Sequence, residues 1–129
     1  MEYRGSILIV DDEESLRDVL CRTLEAEWFH CVTASSGQEA LDKAAIQDFD
    51  VVLLDILMPG LSGMDVLSAL AKRTPSPKVI MVTSVPDIDT VEEAMKLGAY
   101  DYVNKPVNLR DLVGRVQKAL EDSRADIDY

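Results

Sequence analysis

Polar residues stand directly after four of the apolar stretches in this sequence, and their types suit the chemistry of phosphoryl groups. Asp11 and Asp12 follow one stretch, Asp55 and Thr83 each follow another, and Lys105 follows a weaker one. Carboxylate oxygens are the ligands by which proteins usually hold Mg²⁺. A hydroxyl and an ammonium can bind the oxygens of a phosphoryl group, whose transfer depends mostly on positioning and charge stabilisation. The set therefore predicts a magnesium-assisted phosphoryl site.

Each of these residues also has an ordinary structural interpretation. An Asp after a strand is usually a turn former or a helix cap. Thr83 alone would be a solvated loop residue, and Lys105 before Pro106 would be a surface lysine. The combination changes this interpretation, because three carboxylates at one edge repel one another and burial raises their pKa values. Such a cluster destabilises a fold unless a cation neutralises it.

Asp55 is the best candidate for a nucleophile. The run 51–54 before it is wholly apolar, and it lies on a different strand from the pair Asp11 and Asp12. Attack of its carboxylate on phosphorus would give an aspartyl phosphate. This product is an acyl phosphate that hydrolyses spontaneously, so it suits a transient signal.

The elements that must position these residues are indicated by three unbroken apolar runs, 7–10, 51–54 and 79–82. Their content of β-branched residues is typical of strands buried on both faces of a parallel sheet. Two weaker strands are predicted at 29–33 and 100–104. Segments with a helical period of apolar residues lie between and after the strands. The pattern predicts five consecutive βα units, and hence a doubly wound parallel sheet with helices on both faces.

Capping signals agree with these helices. Ser36, Ser62 and Asn108 are each followed three positions later by an acidic residue, and Gly98 is a C-terminal stop signal for the fourth helix. In open α/β sheets, ligands bind beyond the carboxyl ends of the strands near the switch point of strand order. The polar residues that follow the apolar runs are expected at that edge.

Composition limits the class of protein. The chain has 129 residues and a net charge of −11, which favours one domain and disfavours direct binding to nucleic acid or to an anionic membrane. No apolar run approaches the length of a membrane helix. Cys21 and Cys31 do not make a disulfide scaffold, which favours a reducing cytoplasm. We expect one domain over residues 1–122 and a short acidic tail over 123–129.

Five motifs in order make the chain resemble a bacterial two-component response regulator receiver domain of the chemotaxis-receiver type, from about residue 6 to residue 122. They are Ile-Val-Asp-Asp-Glu at 9–13, Leu-Asp-Ile-Leu-Met-Pro-Gly at 54–60, Val-Thr-Ser at 82–84, Gly-Ala-Tyr-Asp-Tyr at 98–102 and Asn-Lys-Pro at 104–106. The resemblance implies a flavodoxin-like (βα)5 fold with a five-stranded sheet of order 2-1-3-4-5.

The resemblance also implies roles for the polar residues. Asp55 corresponds to the phosphoacceptor, and Asp12 and Asp55 would ligate Mg²⁺ directly. Asp11 would act mainly through water, and the main-chain carbonyl of Leu57 would complete the protein ligands. Thr83 and Lys105 correspond to the residues that bind the phosphoryl oxygens. The peptide bond between Lys105 and Pro106 is expected to be cis.

A switch is implied in the same way. Thr83 would move toward the phosphoryl group with the loop before the fourth helix, and Tyr102 would turn from exposed to buried. The altered surface would consist of the fourth helix, fifth strand and fifth helix, and it could also support a homodimer. The phosphodonor would be a sensor histidine kinase or a phosphotransfer protein, and the target an output domain or partner protein.

Beyond its own phosphorylation and autodephosphorylation, such a domain is not an enzyme. Leu57 and Val85 stand two residues beyond Asp55 and Thr83, where family members vary and tune the lifetime of the phosphorylated form. Both are apolar here and cannot orient a hydrolytic water. We therefore expect slow self-dephosphorylation.

Two other classes use related folds or chemistry. A phosphohydrolase of the haloacid-dehalogenase type also has an Asp nucleophile and Mg²⁺, but its DxDxT motif is not matched by Asp11-Asp12-Glu13. A flavodoxin-like cofactor binder would need a phosphate loop after the first strand. Four consecutive acids stand there, at 11–14, and would repel a phosphate. Turnover of a phosphate ester or a bound yellow chromophore would identify these alternatives.

Overall fold

The structure is a computed structural model that describes residues 2–84 and 87–127, without the side chains of residues 126 and 127. Val85 therefore lies outside the described residues. Strands and helices alternate along the chain. In order they are β1 (Gly5–Val10), α1 (Glu14–Glu25), β2 (Phe29–Ala34), α2 (Gly37–Ile46), β3 (Val51–Leu54), α3 (Gly63–Ala71), β4 (Lys78–Thr83), α4 (Ile88–Lys96), β5 (Asp101–Asn104) and α5 (Leu109–Ile127).

The five strands form one parallel sheet in the order β2-β1-β3-β4-β5. The order of strands reverses between β1 and β3, and Val10 at the end of β1 pairs with Leu54 at the end of β3. Asp11 and Asp55 therefore leave the sheet side by side at the switch point. The predicted fold class and strand order are confirmed.

Two apolar cores lie on opposite faces of the sheet, because successive side chains of each strand point to opposite sides. One core joins Leu8, Val10, Val52 and Leu54 to side chains of α2, α3 and α4. The other joins Ile7, Ile9 and Leu53, among others, to side chains of α1 and α5. The unbroken apolar runs of the sequence are explained by this double burial.

The predicted helix caps are present. The hydroxyls of Ser36 and Ser62 accept hydrogen bonds from the main-chain N–H groups three residues later, at 3.2 and 3.3 Å. The side-chain oxygen of Asn108 accepts one from Asp111 N at 3.0 Å. Gly98 has a φ of +110° after α4, a conformation that side-chain-bearing residues rarely adopt. These caps satisfy main-chain groups that helix ends would leave unpaired.

The last helix extends into the segment 123–129 that the sequence predicted as a short acidic tail. Helix α5 continues past residue 122 to Ile127, and Ser123 is only 8 % exposed. Ser123 extends the buried face of α5 beyond Val116 and Ala119, and its small polar side chain concealed this from the sequence pattern. The Lys105–Pro106 bond is cis, as expected, and Thr74–Pro75 is a second cis bond that was not predicted.

Candidate functional site

The loop after β1 holds Asp11 in a buried position. Asp11 is 2 % exposed, and its Oδ1 accepts a hydrogen bond from Glu13 N at 2.9 Å. Its main-chain N–H donates to Ala34 O at 3.2 Å, and its carbonyl accepts from Arg17 Nη1 at 2.7 Å. Asp12 is exposed next to it. The main-chain bonds fix the loop, so that one carboxylate is buried and the next faces solvent.

Asp55 is held in a similar way at the end of β3. It is 5 % exposed, and its main-chain N–H donates to Val10 O at 3.1 Å. Its Oδ1 accepts a hydrogen bond from Leu57 N at 3.1 Å. One carboxylate oxygen is thus bound by its own loop, and Oδ2 is directed to Lys105, 3.2 Å away.

Gly63 packs directly against the main chain of Asp55. A Cβ atom at this position would lie 2.1 Å from Asp55 O and 2.7 Å from Ile56 Cα. Real Cβ atoms do not approach main-chain atoms so closely, so any larger residue would force the start of α3 or the Asp55 loop to move. The Gly63 N–H also donates to Ile56 O at 3.1 Å. The lack of a side chain at Gly63 therefore allows the start of α3 to pack directly against the main chain of Asp55.

Lys105 connects the two buried carboxylates. Its Nζ lies 2.9 Å from Asp11 Oδ2 and 3.2 Å from Asp55 Oδ2. The main-chain N–H of Lys105 donates to Thr83 O at 2.8 Å. Thr83, at the end of β4, is fully buried. Residues from β1, β3, β4 and the end of β5 thus meet at one edge, as the sequence predicted.

Burial and the neighbouring charges set the protonation of the site. Burial raises the pKa of Asp55, and the Leu57 N–H and the Lys105 ammonium only partly oppose this effect. Burial lowers the pKa of Lys105, but its bonds to Asp11 and Asp55 outweigh burial and leave that pKa above its usual value. The site therefore disfavours the charged form of Asp55 and favours the charged form of Lys105. A further cation near Asp55 would stabilise its ionised carboxylate.

The carboxylates of Asp11, Asp12 and Asp55 could hold a metal ion together. Each offers one oxygen, and the three ligand atoms lie within 4.8 Å of one another. A compact set of hard oxygen donors fits Mg²⁺, which keeps several waters and takes few protein ligands. Two of the three carboxylates are almost fully buried, so a cation would relieve a real electrostatic penalty.

Tyr102, a predicted switch residue, and Leu57, a predicted metal ligand and lifetime-tuning residue, both lie among the described residues. Tyr102, on β5, is half-buried and packs against the core on the α2–α4 side of the sheet. Burial raises its pKa, and the carboxylate of Asp87 raises it further. The side chain of Leu57 is 57 % exposed beside Asp55. The ligand role of its carbonyl remains a prediction.

Two residues that shape the site were not singled out from the sequence. Arg17 is the first basic residue after four consecutive acidic residues. This position could have indicated that its side chain binds the loop after β1. Gly63 follows the capping Ser62 at the first position of a helix, where glycine is a poor helix former. Its close approach to Asp55 depends on the tertiary structure, so the sequence could show only that glycine is unusual there.

An open parallel sheet with this strand order, and with an acidic pocket and a lysine at its switch point, defines the class of flavodoxin-like α/β receivers. The sequence model of the response regulator receiver domain matches residues 7–117, so the chain belongs to this family. Its fold is similar to the crystal structure of a CheY-like response regulator receiver domain protein from Methanospirillum hungatei JF-1. The TM-score is 0.91 at 32 % identity, over 95 % of this chain and 98 % of that one.

The curated relatives that this chain matches are longer proteins. The uncharacterized transcriptional regulatory protein YkoG of Bacillus subtilis (strain 168) is 39 % identical over 120 residues, which are 93 % of this chain and 53 % of YkoG. The DNA-binding transcriptional regulator NtrC of Klebsiella pneumoniae is 39 % identical over 117 residues, 91 % of this chain and 25 % of NtrC. The chain thus spans about half the length of the first and a quarter of the second. Among residues 2–84 and 87–127, no helix has the length and apolar character that crossing a bilayer requires.

Proposed function

We propose that this receiver domain, over residues 1–122, is a phosphorylation-dependent switch that accepts a phosphoryl group on Asp55 in the presence of Mg²⁺. The contact of Lys105 Nζ with both Asp55 Oδ2 (3.2 Å) and Asp11 Oδ2 (2.9 Å) carries this proposal. It supports the proposal because it places a cation beside the reacting carboxylate and beside a second, buried carboxylate. A structural aspartate would not need both neighbours.

The proposed ligands of Mg²⁺ are Asp11, Asp12, Asp55 and the main-chain carbonyl of Leu57, with Asp11 acting mainly through water. When bound, the ion would neutralise the carboxylates and bind phosphoryl oxygens. The oxygen of Asp55 that is not held by Leu57 N attacks phosphorus, and the bond from phosphorus to the donor breaks. The lost hydrogen bond of Lys105 to Asp55 is replaced by one to the phosphoryl group, and the Thr83 hydroxyl donates to another phosphoryl oxygen.

The donor in this proposal is a sensor histidine kinase or a phosphotransfer protein. Phosphorylation adds about −1.5 to −2 charges and three acceptor oxygens at the edge of the sheet. Thr83 and Tyr102 then change position, and the surface of α4, β5 and α5 changes with them. An output domain or partner protein reads this surface, which could also mediate homodimerisation.

The remaining parts of the proposal concern location and activity. The two free cysteines are consistent with a reducing, cytoplasmic location. The net charge of −11 argues against direct binding of nucleic acid or an anionic membrane by this chain. The proposed activity is limited to the chain's own phosphorylation and slow autodephosphorylation.

The test is incubation with a small-molecule phosphodonor, with and without Mg²⁺, followed by intact-mass measurement. We expect one phosphoryl group per chain in Mg²⁺, and none in chelator or in the Asp55→Asn variant. Asp48→Asn is the matched control, because Asp48 is an exposed aspartate before β3, at the opposite end of the sheet. Phosphorylation of Asp55→Asn at the wild-type level would refute the assignment of the acceptor.

The readout surface is tested separately, by light scattering and by hydrogen exchange with and without the phosphodonor. We expect changes in exchange confined to the loop before α4 and to α4, β5 and α5. A rise in mass on phosphorylation would show that this surface mediates homodimerisation. If the phosphorylated chain showed changes only on α1 and α2, the proposed readout surface would be wrong even though Asp55 was the acceptor.

A further inference from the structure

A cavity of about 200 Å³ lies at the end of the sheet opposite the carboxylates and Lys105. It is bounded by the end of α2, by the segments that precede β3 and β4, and by α5 near its C-terminal end. Its apolar lining consists of Ala44, Phe49, Val52, Leu70, Pro75 and Pro77. The first four belong to the core on the α2–α4 side of the sheet and are at most 7 % exposed. The cavity therefore has a packed apolar floor.

Ser123 contributes an unpaired hydroxyl to this cavity. The residue lines the cavity and is only 8 % exposed. Among residues 2–84 and 87–127, its hydroxyl has no hydrogen-bond partner. In the same part of the chain, every side-chain nitrogen or oxygen that is closed off from solvent does have a partner, so this hydroxyl must open into the cavity. An almost buried hydroxyl without a protein partner loses hydrogen bonds that a bound molecule can restore.

Charges of both signs stand on the cavity wall. Arg73 is half-buried, and its Nη1 donates to Ala44 O, while its other N–H groups have no acceptor in the described part of the chain. Asp50 Oδ2 accepts a hydrogen bond from Ser6 N at 2.9 Å, whereas Asp50 Oδ1 has no partner among those same residues. Asp48 adds a second carboxylate at the rim. The wall therefore offers donors for a carboxylate and acceptors for an ammonium.

We propose that this cavity binds a small zwitterion with an apolar side group, of the class of the aliphatic and aromatic α-amino acids. The carboxylate of the ligand accepts hydrogen bonds from the available N–H groups of Arg73. Its ammonium donates to Asp50 Oδ1, and the Ser123 hydroxyl binds the polar end of the ligand. Its side group packs on Phe49 and Leu70, where it is removed from water.

Charge and size exclude other small molecules. A simple carboxylic acid would be repelled by Asp48 and Asp50, and a simple amine would be repelled by Arg73. A polar zwitterion such as glycine would leave the apolar floor uncovered. The volume of about 200 Å³ is smaller than the roughly 300–1,000 Å³ of sites for drug-sized ligands, so it suits a single amino acid rather than a peptide.

The inference does not depend on phosphoryl transfer, because no residue that lines the cavity belongs to the phosphoryl site. The test titrates the whole chain with L-leucine or L-phenylalanine, measured by calorimetry and by NMR mapping of main-chain amide shifts. We expect saturable binding, with shifts concentrated at the end of α2, in the segments before β3 and β4, and near residue 123. Isocaproate and isopentylamine, which are leucine without its amine and leucine without its carboxylate, should bind at least about tenfold more weakly, as should glycine.

Two variants test the polar contacts. Ser123→Ala removes the hydroxyl without adding volume, and we expect L-leucine to bind about fivefold more weakly, which corresponds to one hydrogen bond. Arg73→Gln should weaken L-leucine by at least about tenfold. It should also bind isopentylamine more tightly than the wild type does, because the repelling cation is gone. A purely structural effect of the substitution would not produce that reversal.

Arg22→Gln is the matched control, because Arg22 is an exposed arginine on α1 and does not line the cavity. It should bind all the probes as the wild type does. The proposal would be overturned if neither amino acid gave saturable shifts around the cavity. Equal affinity for L-leucine and isocaproate would also overturn it, since the carboxylates of the wall would then not read an ammonium. Either result would leave phosphorylation of Asp55 unaffected, so the two proposals fail separately.

Discussion

The ammonium of Lys105 lies closer to Asp11 than to Asp55, at 2.9 Å against 3.2 Å. Lys105 is therefore as much the partner of the loop after β1 as it is the partner of the proposed phosphoacceptor. In the free protein one lysine is shared by two buried carboxylates. This sharing explains why burial still raises the pKa of Asp55 despite a cation within hydrogen-bonding distance.

The first prediction concerns stability without metal. The raised pKa of Asp55 shows that the folded environment disfavours its ionised form. Asp55→Asn removes that charge but keeps the size of the side chain and an acceptor for Leu57 N. Lys105 keeps its ion pair with Asp11. We expect Asp55→Asn to raise the free energy of unfolding by about 1 kcal/mol at neutral pH in chelator. Urea unfolding of the wild type and of Asp55→Asn measures this difference in the free energy of unfolding.

Asp48→Asn is the control for this prediction. Asp48 is exposed, so its substitution should leave the free energy of unfolding within about 0.5 kcal/mol of the wild-type value. A loss of stability in Asp55→Asn would mean that the ion pair with Lys105 outweighs the burial of the carboxylate.

The second prediction concerns Mg²⁺. A ligand that binds only the folded state stabilises it, by about 2.7 kcal/mol when its concentration is a hundred times its Kd. We expect Mg²⁺ to raise the Tm of the wild type in a concentration-dependent way. Asp12→Ala should abolish this rise with little effect on the Tm in chelator, because Asp12 is exposed. Thermal unfolding followed by circular dichroism measures both.

Asp48→Ala should respond to Mg²⁺ as the wild type does, since it removes a carboxylate at the opposite end of the sheet. If Mg²⁺ shifted the Tm of Asp12→Ala by the wild-type amount, the carboxylates at the switch point would not be the ligands.

Much of the fold was predictable because the sequence pattern and the packing coincide. Residues 7–10 and 51–54 are buried on both faces, so an unbroken apolar run could mean only a central strand or a buried helix, and the short length favoured the strand. The convergence of Asp11 and Asp55 followed directly, because both residues come immediately after strands that are paired at Val10 and Leu54.

The side-chain geometry of the site was not predictable in the same way. The preference of Lys105 for Asp11 depends on the loop after β5, whose path no local pattern specifies. The role of Gly63 depends on contact with a main chain eight residues earlier. The acidic composition of residues 123–129 indicated a tail, and it did not show that helix α5 continues to Ile127 with the small side chain of Ser123 buried.

The third prediction concerns alkaline pH. Burial raises the pKa of Cys31 from 9.0 to about 12, so the folded state holds this proton more tightly than the unfolded state does. The resulting stability is complete below pH 9.0 and is lost as the pH rises toward about 12. We expect the free energy of unfolding to fall more steeply over this range in wild type than in Cys31→Ala, as measured by urea unfolding under reducing conditions.

Cys21→Ala is the comparison, because the pKa of Cys21 is raised less. It should retain most of the wild-type pH dependence. Equal slopes for the wild type and Cys31→Ala would show that Cys31 titrates normally in the folded protein.

The fourth prediction concerns Gly63. A Cβ atom at this position would lie 2.1 Å from Asp55 O, so Gly63→Ala must displace the start of α3 or the loop that carries Asp55. We expect a loss of about 1–3 kcal/mol in the free energy of unfolding. We also expect weaker Mg²⁺ binding and slower phosphorylation of the fraction that remains folded. Gly114→Ala is the matched control, because Gly114 lies in α5 with nothing within 4 Å of an added Cβ.

Gly114→Ala should be neutral or stabilising by about 0.5–1 kcal/mol, because alanine favours the helix. If Gly63→Ala lowered stability but left Mg²⁺ affinity and the phosphorylation rate unchanged, Gly63 would serve the packing of α3 and not the position of Asp55.

The fifth prediction concerns the lifetime of the phosphorylated form. Leu57 is 57 % exposed beside Asp55, and its apolar side chain offers no hydrogen bond to a water that attacks the aspartyl phosphate. An amide at this position can orient such a water, and positioning of a reactant beside the reacting bond raises the rate. We therefore expect Leu57→Asn to hydrolyse its phosphoryl group several-fold faster than wild type, measured as the decay of phosphorylated mass after the donor is removed.

Ile46→Asn controls for the general effect of placing an amide at an exposed apolar position. Ile46 ends α2 and is 87 % exposed, more than Leu57. The control should keep the wild-type hydrolysis rate, and neither substitution should change stability by more than about 0.5 kcal/mol, since both sites are exposed. An unchanged lifetime in Leu57→Asn would show that access or orientation of water at this side of Asp55 does not limit hydrolysis. The slow step would then lie with the groups that hold the phosphoryl oxygens, Thr83 and Lys105.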